Sequence, residues 1–483
     1  MIKFLRRFSL PIALCLTALL MAVILYIYIY FGKQALLLAE ATTVGVWLAA
    51  LIIAKPELGA LLILFALPFE RVPSVDVAGV SIKANIILGA ITALSTLIAI
   101  MFRRQRLRIN ATHVLILLVL VVQLLSLAHA VELTRAIKTV GFTAFVFGFS
   151  WLIPQWIVSQ SLLRTAVRIL ILVAAIVGVF GIYQFVGDVI GLPRSLTLID
   201  QGFSKIVFGF PRIHAFSLEP LYLGNYLLLP FSLLFSLLLV GVRTRLSHIW
   251  FWGLFVLLGI VLVLTVSRGA YLAAAVSVLV IMVSLPRETL KPRHLLIGLG
   301  IIVAVLGASF IFLMRSNSAA LGNFQNHVLL GDFANSGSGA GRLSTFTQAI
   351  EIWKVHPWLG VGPGNFGPAS FNFPNPIINP ASAIVNNEYL ELLAETGLIG
   401  LFAVLLVFGS VILRSIVALR QAKEPLLRAV LIGGTAGFIG MLVQYNFFST
   451  LYIIHIWSTV GFLLAAQTIA LRSGSKSLVE SPL

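Results

Sequence analysis

The sequence predicts an all-α integral membrane protein, a polytopic helical bundle of about 12–14 transmembrane helices with a large extracytoplasmic loop containing short amphipathic helices. Three observations carry that prediction. Of 483 residues, 60% are hydrophobic and only 10% charged, where soluble domains carry roughly 25% charged residues. Apolar runs of bilayer-spanning length follow one another along most of the chain, and the mean hydropathy is +1.06. Polar residues gather instead in two long interruptions, 188–217 and 315–396.

The elements follow in order. Segment 9–31 comes after the basic start MIKFLRR and is too long for the apolar core of a signal peptide, so it reads as an uncleaved first span. Segment 34–54 contains Glu40, which has Lys33 as a nearby basic partner, and 57–69 is short enough to cross only with tilt or to re-enter. Segments 83–102, 112–129, 137–158 and 165–187 complete an N-terminal helical region, 1–187. A central region, 188–314, opens with the outer loop 188–217 and continues through 218–241, 248–266, 269–285 and 295–314. The large loop 315–396 separates these from the C-terminal spans 397–418, 427–449 and 451–471, which lead into a cytoplasmic tail ending at 483.

Charge placement orients the bundle. With the N-terminus inside and every segment crossing, about 21 of the 33 Lys and Arg residues fall in short cytoplasmic gaps. Both long loops then face outward and both termini inward. The net charge of +17 is spread over those gaps without an aromatic-interleaved patch, so it speaks for membrane topology and against a nucleic-acid partner. Lipid headgroups and diphosphates remain compatible anionic partners. The single cysteine, Cys15, permits no disulfide within the chain.

Candidate chemistry lies in the outer loops and at their edges. Leu343, Phe346, Ile350 and Trp353 recur at helical spacing, with Arg342, Thr345, Gln348, Glu351 and Lys354 on other faces, which predicts an amphipathic helix ended by His356-Pro357. Gly360, Gly362, Pro363 and Gly364 form a turn; no Lys-Ser/Thr follows, so this is not a Walker A loop. Asn386-Asn387-Glu388-Tyr389 caps a helix running to Thr396 and closed by Gly397. The other loop offers Arg212, His214, Ser217 and Glu219 ahead of a helix that contains Asn225. Arg268 stands in Thr265-Val-Ser-Arg-Gly269, a gap with no room for a loop, where a charge near hydrocarbon is costly and marks a functional candidate. No His/Glu cluster has metal-ligand spacing, and no Asp-x-Asp pair is present for a nucleotide-sugar metal.

Taken together, TVSRGAYLA, GRLSTFTQAIEIWKVHPWLGVGPGNF and NNEYLELLAETGLIGL resemble the O-antigen ligase/polymerase superfamily, over about 170–450 and most strongly over 260–401. The resemblance implies a bacterial cytoplasmic-membrane enzyme working at the periplasmic face. Its donor would be an undecaprenyl-diphosphate-linked oligosaccharide and its acceptor a glycan or lipid. It further implies inverting transfer without cofactor or metal, with membrane lipids and other polysaccharide-assembly proteins as partners. One departure matters: Asn386-Asn387 stands where family ligases carry His-Asn, and an amide cannot take up a proton at neutral pH. That favours a repeat-unit polymerase over a ligase that delivers glycan to lipid A core. Glu219 or Glu388, with His214 third, then become the candidate bases. Arg212, Arg268 and Arg342 are the diphosphate-binding candidates, Arg268 also being counted with Asn386 as catalytic; His214, Asn387 and Tyr389 are assigned to the acceptor glycan. A transporter or flippase of lipid-linked glycan is the rival from another class. The one-sided polar groups and the asymmetric loop speak against it. A non-catalytic assembly scaffold is the third reading.

Overall fold

The structure, a computed structural model, describes residues 33–70, 74–77, 80–103, 105–200, 202, 211–242, 248–285, 337–372 and 384–479. The expected spans 9–31 and 295–314, and much of the outer loop 315–396, lie outside the described residues. Among the described residues, eight helices are long and apolar enough to cross a membrane, and four shorter apolar helices accompany them. The chain is thus an all-α polytopic membrane protein.

Two compact units emerge, Met1–Gly59 with Ala90–Gln105, and Ala60–Gly89 with Arg106–Leu483. The first contains α1 (Lys33–Ala54) and most of α3 (Ala84–Arg103). Within it, the Ser95 hydroxyl donates to the Ile52 carbonyl (2.9 Å) and Arg103 to that of Ile53 (2.9 Å). The Lys33 and Glu40 side chains, expected to pair, are outside the described set.

Apart from the first turn of α2, the elements that follow belong to the second unit. Helix α2 (Pro56–Ala66) leads to a hairpin of β1 (Ser74–Val77) and β2 (Val80–Lys83), antiparallel with Val75 opposite Ile82. This hairpin is an exception to a purely helical expectation; its alternating β-branched residues favour extended backbone. Then come α4 (Ala111–Ser126), α5 (Leu133–Trp156), α6 (Gln160–Val189) and the short α7 (Arg194–Thr197). They are followed by α8 (Pro220–Val240), α9 (His248–Leu264) and α10 (Arg268–Ser284). The remaining helices are α11 (Gly337–Val355), α12 (Phe366–Ser370), α13 (Glu388–Gln421), α14 (Pro425–Gln444) and α15 (Ile454–Val479).

Helices α8, α14 and α15 are buried on nearly all sides, whereas α4, α5, α6 and α13 bury one face and leave the other apolar and open. Small residues let the inner helices approach. A Cβ on Gly433 of α14 would stand 2.6 Å from the Ser232 carbonyl oxygen of α8, and one on Gly437 2.9 Å from that of Leu228. Among apolar helices in an apolar solvent, such close packing with hydroxyl bonds is what holds neighbours together. Ser236 donates to Ala429 (2.9 Å), and Ser277 of α10 donates to Ala436 (2.9 Å).

Helix α13 keeps its expected form: a capped segment from Glu388 and the span that runs to Gln421 meet at Gly397, whose backbone is non-helical (φ 66°, ψ −169°). Here Leu398 N–H donates to the Pro357 carbonyl (2.9 Å) and Ile399 N–H to that of Trp358 (3.3 Å), so the 357–359 chain takes over donors freed by the break. Helix α11 turns differently. Ala349 and Ile352, with Phe346 beside them, pack on Val361, Phe366, Val385 and Ala394, while Leu343 of the expected apolar stripe is exposed and Gln348 is buried.

Candidate active site

Two of the arginines, Arg212 and Arg268, flank the break between α9 and α10. Residues 211–214 run past it, with Ile213 N–H donating to the Leu264 carbonyl (3.3 Å) and Arg212 Nε to that of Thr265 (3.2 Å). Val266 lies in the left-handed region (φ 50°), an outlier for a β-branched residue, and Ser267 caps α10 by accepting from Ala270 N–H. This tight reversal places Arg268 at the first position of α10. The Arg212 guanidinium lies within electrostatic range of Glu219 and Arg342, and Arg342 within range of Arg268. Arg342 thus interacts with both Arg212 and Arg268, and Glu219 with Arg212.

Burial pushes the Arg212 guanidinium below its ordinary pKa, and Tyr271 and Glu219 oppose that. Arg342 is pushed down by burial first and by the charge of Arg268 second. Glu219, the N-terminal residue of the Pro220 helix, reaches solvent, yet surrounding protein raises its pKa while Arg212 draws it back. A carboxyl whose pKa is raised and that is still exposed is suited to take a proton.

The second group sits at the start of α13. Asn386 adopts the left-handed region (φ 61°), which Asn tolerates best after Gly, and its N–H donates to the Ser449 hydroxyl (3.0 Å). Asn387 caps the helix by accepting from Leu390 N–H (3.1 Å). Glu388 is buried, its N–H donates to the Tyr445 carbonyl (2.8 Å), and its carboxyl is hydrogen-bonded by the Thr450 backbone. Tyr389 donates to the Leu442 carbonyl (2.7 Å). Two further carboxylates organise loops. Glu391 accepts from Val385 N–H (2.8 Å) and from Ser449, and Glu395 accepts from Gly364 N–H (2.7 Å) and Phe366 N–H (3.0 Å). The glycine turn 360–364, positive in φ at all three glycines, is therefore clamped by Glu395.

Tyr222 links the two groups. Its hydroxyl is 3.2 Å from that of Thr450, and it feels the charges of both Glu219 and Glu391. His214 stands apart: it is fully buried, its Nε2 accepts from Asp200 N–H (3.2 Å), and its own N–H donates to Gln184 Oε1 (3.0 Å). Gln184 also takes Ala215 N–H (2.9 Å) and donates to the Thr197 carbonyl (3.0 Å), which makes it the clasp of the 188–217 loop. Among the described residues no three His, Cys, Asp or Glu side chains converge as metal ligands would.

Sequence reasoning passed over Gln184, Tyr222, Tyr271, Gln444, Ser449 and Thr450. The signal for the last three was visible as Gln444-Tyr445-Asn446 and Ser449-Thr450, polar pairs interrupting an apolar stretch that reads as two adjoining spans.

Residues 253–405 match the family model described as O-antigen ligase, a stretch that includes Arg268, Arg342 and 386–389 but not Arg212 or Glu219. No curated protein matches the chain. Over that segment, about a third of its length, the chain is similar to the O-antigen ligase family.

Proposed function

We propose that the protein polymerises glycan repeat units carried on undecaprenyl diphosphate, at the outer face of the bacterial cytoplasmic membrane, by inverting transfer without a metal. The observation that supports this reading is that Arg212 and Arg268 flank the break between α9 and α10, with Arg342 in electrostatic reach of both and Glu219 in reach of Arg212. An acceptor sugar hydroxyl attacks the anomeric carbon on the side opposite the diphosphate. The new C–O bond forms as the anomeric C–O bond to phosphorus-bound oxygen breaks, and both bonding electrons leave with the diphosphate. The charge growing there is met by fixed guanidinium groups, which bind two oxygens each and need no reorganisation. The hydroxyl proton passes to Glu219 and from there to water.

Glu219 is preferred to Glu388 as base because Glu388 is buried and engaged with the Thr450 backbone. Asn386 and Tyr389 then shape the acceptor side. Transfer to lipid A core is the second reading, favoured by the family description. The test uses purified protein in detergent, a chelator, and an undecaprenyl-diphosphate-linked repeat unit as the only substrate. A ladder of lengthening lipid-linked glycan, lost in Arg268→Ala, is the expected result. Transfer only after lipid A core is added would replace polymerase by ligase, and no transfer in either arm by folded protein would overturn the enzymatic reading.

A further inference from the structure

Behind the first turn of α8 lies a buried chain of polar side chains that the transfer reaction as described does not use. Glu70 Oε1 stands 3.3 Å from His455 Nδ1, and His455 Nε2 stands 2.9 Å from Asn225 Oδ1. Asn225 Nδ2 donates to Gln444 Oε1 (3.2 Å), and Gln444 Nε2 donates to the Leu221 carbonyl (3.0 Å). His455, Asn225 and Gln444 are at most 1% exposed and Glu70 8%.

The far end of this chain fixes its polarity. A backbone carbonyl only accepts, so the Gln444 amide must turn its NH2 to Leu221 and its oxygen to Asn225. Asn225 must then turn its NH2 to Gln444 and its oxygen to His455. Nε2 of His455 therefore carries a hydrogen. The remaining contact, Nδ1 to Glu70, needs one more proton, held either as carboxylate and imidazolium or as carboxylic acid and neutral imidazole. With none, two lone pairs face each other; with two, a buried cation is left without its counter-charge.

We propose that Glu70 and His455 share a single proton and act as positioning residues for the transfer site. Leu221 lies two residues beyond Glu219, in the turn that also holds Tyr222, so the chain sets where the carboxylate and the Tyr222–Thr450 link stand against α14 and α15. The titratable groups facing the pair are Tyr226 of α8, whose ring is 6.1 Å from that of His455, and Tyr222, which feels Glu70, Glu219 and Glu391. Tyr452 in turn lies within electrostatic range of Tyr222 and Glu391.

This role rests on the glycosyl-transfer reading, but its proton arrangement does not, so the test has two arms. In the first, the protein is labelled with 15N-histidine in detergent, and the His455 signals are assigned by their loss in His455→Gln. Nε2 should carry a hydrogen; an unprotonated Nε2 overturns the proposal whether or not the protein is an enzyme. In the second, lipid-linked donor turnover is measured for two variants. Glu70→Gln donates an amide N–H to neutral Nδ1 and keeps every bond, so its kcat should stay within about threefold of the parent. Glu70→Ala should lower kcat by about 10- to 100-fold, the cost of small displacements of catalytic groups, at unchanged KM for the donor. Equal losses in both variants, or none in Glu70→Ala, would overturn the positioning role; melting curves of the variants separate either result from misfolding.

Discussion

Arg212 tests the role of the arginines most sharply, because two of its properties can be removed separately. Arg212→Lys keeps a positive charge but loses the planar fork and the Nε bond to Thr265 (3.2 Å). One charge-assisted hydrogen bond to a leaving diphosphate contributes about 1.5–3 kcal/mol, so at about 1.36 kcal/mol per decade kcat should fall roughly 10- to 150-fold. Arg212→Ala removes the charge as well, and a loss of about 100- to 1,000-fold is expected by analogy with a single oxyanion donor. The two variants should also differ in pH dependence. Burial raises the Glu219 pKa and Arg212 pulls it back. As the proposed base, Glu219 works only when ionised, so activity rises with pH through its pKa. In Arg212→Ala the restraining charge is gone, the pKa rises further, and the acidic limb of the rate profile moves to higher pH. In Arg212→Lys the limb should stay close to its original place. Initial rates over a pH series, at saturating and limiting donor, measure both effects. A change confined to KM would mean that Arg212 binds ground and transition states alike. An unmoved acidic limb in Arg212→Ala would remove Glu219 from the role of base.

Other consequences follow from the geometry around α13. Glu395→Gln can accept from only one of Gly364 and Phe366, which turns an NH2 toward the other N–H; a loss of about 1–3 kcal/mol is expected, read as a lower melting temperature and faster proteolysis within 356–372. Gly397→Ala places a Cβ into the Trp358 carbonyl at positive φ, so the break cannot form as it stands; a sharp fall in folded yield is expected, and a normal melting curve would refute the geometry of the break. Asn386→His restores the residue that family ligases carry, at a left-handed position that His tolerates. If Glu219 is the base, the polymerisation rate should change by less than about threefold, whereas the gain of a true general base is about 100-fold or more; a gain of that order would return the role to position 386.

The membrane class and most helix positions were legible because composition and segment length report directly on the solvent. The individual arginines were legible too: Arg268 interrupts two apolar helices where no loop fits, and a charge there has a cost that begs a use. The Arg212 bond to Thr265 was not, since it joins residues 53 positions apart across a reversal that no local pattern announces. Helix α11 shows a different limit, since residues 343, 346, 350 and 353 and residues 345, 349 and 352 are both helical stripes, and only the presence of Val361, Phe366, Val385 and Ala394 decides which one is buried. Gly397 was legible as the end of the capped helix, whereas the Pro357 and Trp358 carbonyls that accept from Leu398 and Ile399 N–H come from about 40 residues away and were not.

The 444–455 segment was hidden most completely, and its chemistry explains why. Gln444, Ser449, Thr450 and His455 each look like a tolerated polar residue in an apolar run. Each becomes informative only through its partner: Leu221 and Asn225 for Gln444, Asn386 and Glu391 for Ser449, Tyr222 for Thr450, and Glu70 for His455. In a medium without water an unpaired polar group costs several kcal/mol, so the number of polar side chains along 444–455 already required partners elsewhere. That such residues bond to α8, to the start of α13 and to Glu70 makes this segment the piece against which the two halves of the candidate site are registered.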